Sequence, residues 1–142
     1  LPGLRQAQKY AVRVGGGRNQ RLALWHGILI KENHITAAGG IAQVLAQARA
    51  LNAGVEIQIE VETLAQLEEA LAQGATSIML DNFDPLTLRK AVEFIGGRFE
   101  TEASGGITLA TARSFAETGV DYISVGALTH SAPSLDLSLK AI

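Results

Sequence analysis

The chain is 142 residues long and 47% hydrophobic, with a formal net charge of -2, a pI near 5.9 and a mean hydropathy of +0.18. This sustains one ordinary domain with a sizeable core, and the slightly acidic balance excludes general nucleic-acid or anionic-membrane binding, so any basic site is local. The lack of cysteine excludes disulfides, thiolate metal sites and cysteine nucleophiles, and no apolar run reaches the roughly 18 residues of a membrane-crossing helix.

The opening residues carry no signal-peptide pattern, which sets a cytoplasmic expectation. The lack of an initiator Met sets the expectation that this is the later part of a longer polypeptide. Residues 4 to 14 place Leu4, Ala7, Ala11 and Val14 at helical spacing, and Gly15-Gly16-Gly17 ends that helix. A polar loop, Arg18-Asn19-Gln20-Arg21, leads to the apolar run Gly27 to Ile30. That run is short and β-branched, so it reads as a buried strand ending at the turn Lys31-Glu32-Asn33-His34. After Gly39-Gly40, an alanine-rich helix is expected over about Ile41 to Asn52.

A second strand begins at Val55. Thr63 caps the next helix, which Gly74 stops; the third strand, Ser77 to Leu80, runs into Asp81-Asn82. Asp84-Pro85 opens a helix that Gly96-Gly97 ends. The fourth strand, Phe99 to Ala103, meets Ser104-Gly105-Gly106, and Thr108 is expected to cap the following helix, which Gly119 ends. The fifth strand, Tyr122 to Val125, meets Gly126, and a last helix is expected from Leu135 to Ile142. Trp25 and the phenylalanines read as core or helix-packing residues. Strand and helix alternate throughout with short connections, which is the pattern of a parallel α/β layer.

The second strand decides between the parallel architectures. Val55, Ile57, Ile59 and Val61 share one face, while Glu56, Gln58, Glu60 and Glu62 share the other. A doubly wound sheet buries both faces, so this alternation favours a (β/α) barrel with a polar interior, here an incomplete barrel portion of about five strands with outer helices. Lys31 has the parity of Leu29, Asp81 that of Met79, and Ser104 that of Glu102. All five strands end in chemistry-bearing residues, and the carboxyl edge of such a barrel is where active sites sit.

Ser104-Gly105-Gly106 and Val125-Gly126-Ala127 are glycine turns between strand and helix that suit a phosphate; as tight turns alone they would look the same. Glu60 and Asp81 have four open roles: counter-charges to a cation, Mg²⁺ ligands through water or substrate, acceptors for sugar hydroxyls, or a purely structural pair with Lys31 or an arginine. Glu56, Glu62 and Glu102 share the ambiguity. Lys31 ends an apolar strand and reads as an anion ligand, Arg18 and Arg21 as possible carboxylate clamps or ordinary surface cations. His34 reads as a hydrogen-bonded structural residue. His26 and His130 have no partner pattern, so no zinc site is supported.

Pro2-Gly3-Leu4-Arg5, Gly15-Gly16-Gly17, Asn19-Gln20-Arg21, Leu29 to Ile35, Glu60-Val61-Glu62, Met79 to Phe83, Ala103 to Ile107 and Ser124 to Thr129 together resemble the quinolinate phosphoribosyltransferase family, across essentially the whole chain. The resemblance implies a reaction of quinolinate with phosphoribosyl pyrophosphate and Mg²⁺ that gives nicotinate mononucleotide, pyrophosphate and CO₂. It implies that Arg21 and Lys31 bind substrate, and that Glu60 and Asp81 lie near the ribose, pyrophosphate and metal. Ser104, Gly105, Gly106, Val125, Gly126 and Ala127 then cradle the 5′-phosphate, with Lys31, Glu60 and Asp81 as the catalytic set. It further implies an additional amino-terminal domain and a homodimer or higher homo-oligomer, in which a partner's arginine completes each site. Gln20 stands where many members have histidine. Two other readings stay open from the residues: a non-catalytic phosphate-binding module, and a related enzyme acting on another pyridine carboxylate.

Overall fold

The structure, a computed structural model, describes residues 2–131 and 133–140. Five parallel strands form one sheet: β1 (Ile28–Ile30), β2 (Ile57–Val61), β3 (Ile78–Asp81), β4 (Glu102–Ser104) and β5 (Tyr122–Ile123). Helix α1 (Arg5–Val14) precedes them. After β1 come α2 (Glu32–Ala38) and α3 (Ile41–Ala50), after β2 comes α4 (Leu64–Ala72), after β3 α5 (Pro85–Ile95), after β4 α6 (Ala112–Ala116), and after β5 α7 (Ala127–His130). The strands lie in sequential order, each beside the next. A doubly wound sheet reverses its order part-way, whereas uninterrupted order builds a barrel wall.

The two faces of the sheet differ as the alternation requires. Ile30, Ile59, Val61, Ile78, Leu80 and Ala103 are buried against Ile41, Leu45, Leu67, Leu88 and Ile95 of the helices. Full burial of such a side chain is worth about 1.5–3 kcal/mol, so this layer supplies the fold's main driving force. The opposite parity, with Gln58, Glu60, Met79, Asp81, Glu102 and Ser104, faces the concave side. Register places Glu60 beside Met79, Met79 beside Glu102, and Asp81 beside Ser104.

Helix starts follow local chemistry. Thr63 Oγ1 accepts from the Gln66 N–H at 3.2 Å, and Asp84 Oδ1 accepts from Leu86 and Thr87 N–H at 2.9 and 3.1 Å, with Pro85 in the first turn. Hydrogen bonds from the Thr87 side chain and backbone hold the Asp84 carboxyl below its usual pKa range. No helix of the described residues is long and apolar enough to cross a membrane.

Several sequence expectations are corrected. The Lys31–His34 stretch winds straight into α2: His34 Nδ1 accepts from the Lys31 N–H at 3.0 Å, so the histidine is structural, as expected, but it caps a helix. Thr108 is not a helix cap; it opens a turn four residues early, with its carbonyl accepting from Thr111 and Ala112, and α6 begins at Ala112. Strand β4 starts at Glu102 rather than Phe99, and β2 at Ile57 rather than Val55. Trp25 is 76% exposed and is no core residue.

The expected carboxyl-terminal helix is absent over Leu135–Lys140, and its last two residues lie outside the described residues. Leu135, Leu137 and Leu139 are 81%, 84% and 101% exposed. Their spacing of two would scatter them around a helix, and so short a helix is marginal without packing.

Candidate active site

The carboxyl ends of the strands surround a cavity of about 460 Å³. Lys31, Glu60, Asp81, Ser104, Gly105, Gly106, Gly126 and Ala127 all line it. Val125, the remaining member of the second glycine turn, packs against the apolar core instead. Glu62 is exposed beyond β2, and its backbone N–H donates to Gln66 Oε1 at 2.8 Å.

The cavity's charges are paired along the concave face. Lys31 Nζ lies 2.9 Å from Glu60 Oε1, with side-chain exposures of 49% and 10%. The Glu60 carboxylate is largely removed from water, so the ammonium offsets its desolvation. In return Lys31 is pushed above its ordinary pKa, first by the hydrogen bond to Glu60 and then by attraction to Glu60, Asp81 and Glu32, against the opposing effect of burial. Asp81 Oδ1 accepts from the Ser104 hydroxyl, and its Oδ2 accepts from Asn82 Nδ2 at 2.8 Å.

The glycine turns complete the wall. Gly105 and Gly106 both have positive φ, +96° and +59°, which lets β4 turn sharply at its end. The N–H groups of Gly106 and Ile107 find no acceptor among the described residues, leaving donors for a ligand oxyanion. Gly126 has ordinary helical φ, and a Cβ there would lie 3.3 Å from Cδ2 and Nε2 of the exposed His130 side chain, a close contact that a small shift of the ring would relieve. His130 also lines the cavity, with Nδ1 2.7 Å from Ser131 Oγ. In the sequence His130 reads only as a candidate metal ligand and Ser124 only as part of the family resemblance, neither with a place in the site, and no periodicity signals them.

Arg21 lies elsewhere. It lines a second cavity, of about 380 Å³, at the amino ends of the strands with Arg18, Gln20, His26, Glu56 and Glu100. Its Nη1 donates to the Gly27 carbonyl at 3.2 Å. Between the two cavities runs a chain of hydrogen bonds: Gln20 Nε2 to Gln58 Oε1 at 2.7 Å, Gln58 Nε2 to Glu102 Oε2 at 2.9 Å, and the Ser124 hydroxyl to Glu102 Oε1.

For a divalent cation the donor set is small. Among the described residues no group of three or more His, Asp or Glu is placed to hold a metal ion. Glu60 and Asp81 therefore suit Mg²⁺ only as a minority of its ligands, with substrate oxygens supplying the rest, which is how Mg²⁺ is commonly held.

A convergent cation, two carboxylates and two glycine turns at one barrel edge fit an anionic sugar substrate. The family model for the C-terminal domain of quinolinate phosphoribosyl transferase matches residues 1–140. This chain belongs to that family. It is 52% identical over 139 residues to the probable nicotinate-nucleotide pyrophosphorylase [carboxylating] of Bacillus subtilis, covering 97% of this chain and 48% of that protein. The chloroplastic enzyme of the same name from Arabidopsis thaliana is 45% identical over 158 aligned positions, covering 98% of this chain and 45% of the relative. The crystal structure of NadC from Streptococcus pyogenes superimposes with a TM-score of 0.91 at 47% identity, over 99% of this chain and 50% of that one. The chain thus spans about half the length of these relatives.

Proposed function

We propose that this chain is the barrel portion of an enzyme that transfers the phosphoribosyl group of phosphoribosyl pyrophosphate to quinolinate with decarboxylation, in the synthesis of NAD. The observation that carries it is the carboxyl-edge cavity, where Lys31, Glu60, Asp81 and Ser104 stand beside the Gly105-Gly106 and Gly126 turns. The turns, with free N–H donors at Gly106 and Ile107, hold the 5′-phosphate.

As the bond from the anomeric carbon to pyrophosphate breaks, positive charge develops on the sugar. Asp81 and Glu60 are fixed negative groups on that side, and preorganised charge of this kind lowers the barrier without rearrangement. The ring nitrogen of quinolinate forms the new bond to the sugar. The adjacent carboxylate then leaves as CO₂, its bonding electrons staying on the ring carbon, which takes a proton. Lys31 holds an anionic group of the substrate pair throughout. Glu60 and Asp81 are the residues that would hold Mg²⁺, which when bound would supply positive charge to offset that of the pyrophosphate leaving group.

Among the described residues Lys31 is the one lysine or arginine lining this cavity, while the two substrates carry several negative groups. The reading therefore includes further cations from beyond this cavity, Arg21 and an arginine of a second copy, and with them a homodimer or higher homo-oligomer in the cytoplasm. The test is to incubate the intact protein with quinolinate, phosphoribosyl pyrophosphate and Mg²⁺. Nicotinate mononucleotide and CO₂ are expected in equal amounts, with nicotinate a poor replacement for quinolinate. No product above background would overturn the proposal, and preference for nicotinate would reassign the substrate.

A further inference from the structure

The residue after Asp81 is in an uncommon backbone state. Asn82 has φ +57°, in the left-handed region that Asn tolerates better than most side chains. That state folds its side chain back over the preceding residue, and its Nδ2 donates to Asp81 Oδ2 at 2.8 Å. The orientation of the amide follows from chemistry, because an ionised carboxylate only accepts. The other carboxylate oxygen takes the Ser104 hydroxyl, and the Asn82 N–H donates to the Ser104 carbonyl at 3.0 Å. Asp81 is thus gripped at both oxygens, by the residue behind it and by the neighbouring strand.

Gly105 makes this possible. A Cβ at position 105 would lie 2.2 Å from Asn82 Oδ1 and 2.6 Å from Asn82 N, so no side chain fits while Asn82 holds this position. Gly106, next in the same turn, has nothing within 4 Å of a built Cβ. Gly105 is therefore glycine because both the backbone and the side chain of Asn82 crowd it and its φ is positive, and the turn has two separate duties. Phe83, 5% exposed, and the Asp84 cap anchor the segment on its other side.

We propose that Asn82 is a positioning residue for Asp81: resting on the phosphoribosyl-transfer reading above, it fixes the carboxylate plane so that the unused lone pairs face the cavity, and the glycine at position 105 leaves room for it. The consequence is an effect on the chemical step rather than on affinity, because a carboxylate free to rotate still attracts the substrate but stabilises the developing charge less well.

Asn82→Gly is the decisive variant, since glycine accepts positive φ and only the amide is removed. In the intact protein it is expected to lower kcat about tenfold, with the KM for phosphoribosyl pyrophosphate changed less than twofold and the melting temperature nearly unchanged. Asn82→Asp keeps size and backbone preference but replaces the donor by an acceptor, and is expected to lower kcat further. If both variants keep kcat within twofold of the wild type, Asn82 is only a turn residue and the proposal is overturned. A readout without turnover separates this from failure of the parent reading. The side-chain amide resonances of Asn82 are expected to shift on Asp81→Asn; unmoved resonances would refute the clamp even in an active enzyme, and moved ones would uphold it even if no nicotinate mononucleotide were formed.

Discussion

At the amino end of the concave face, Arg18 stacks on Tyr122 at 4.5 Å and lies 3.6 Å from Glu100, while Arg21 is tied to the Gly27 carbonyl and Gln58 sits between Gln20 and Glu102. At the carboxyl end, Lys31 is half exposed against an almost buried Glu60, and the glycine turns leave N–H donors without acceptors. Both ends are lined by charged and polar groups. They differ in how the groups are held: at the amino end Arg18 and Arg21 are engaged by Tyr122, Glu100 and the Gly27 carbonyl, whereas the carboxyl end keeps backbone donors and a half-exposed cation that a ligand can complete.

The strongest test of that difference is Lys31→Ala, expected to lower turnover of the intact protein by about a hundredfold or more, the usual scale for one preorganised charge. Its stability cost is expected to be about 1–3 kcal/mol, because the lysine itself is half exposed but its removal leaves the largely buried Glu60 carboxylate unpaired. Since Lys31 is raised above its ordinary value of 10.5, its contribution is complete below 10.5 and is lost only as pH rises beyond it, so no neutral limb of a pH profile belongs to this group. Next comes Arg21→Ala, for which a smaller loss than Lys31→Ala is expected. The reverse order in a steady-state comparison would show that the two cavities act as one site.

Gly105→Ala is expected to cost about 2–4 kcal/mol through its contact with Asn82 and its positive φ, against about 1 kcal/mol for Gly106→Ala, where φ alone is at issue. Thermal unfolding of the two variants measures the gap; equal losses would break the division of duties within the turn. The smallest effect is at the amino end. Asp121 Oδ2 accepts from the Thr101 N–H at 2.7 Å and from its hydroxyl at 2.8 Å, and these bonds, the backbone one first, hold its pKa below the ordinary 3.8. The stabilisation is present above 3.8 and lost as pH falls through the lowered value. Asp121→Asn should cost at most about 1 kcal/mol at neutral pH, given its exposure, and the difference from wild type should vanish in acid denaturation below the lowered pKa.

The barrel portion and most of the cavity were legible because both follow from a period of two. Once Ile57, Ile59 and Val61 face the helices, Gln58 and Glu60 have one place to go, and parity carries the same result to Lys31, Asp81 and Ser104. Arg21 was not legible in this way, since it lies before β1 in a loop whose course no periodicity fixes. His130 entered the cavity through a four-residue helix too short to announce itself, and Asn82's backbone state depends on a glycine 23 residues later. The Leu135 to Lys140 segment misled because a leucine-rich stretch suggests a helix, although its leucines alternate.

The alternation in β2 has a consequence for folding as well as for chemistry. If the strand paired one residue out of step, Gln58 and Glu60 would be pressed under α3 and α4 and Ile59 would be turned out into the wet side. Such a mispaired barrel would strand a buried carboxylate without its ammonium, so selection for a reactive edge also proofreads the assembly of the wall that carries it.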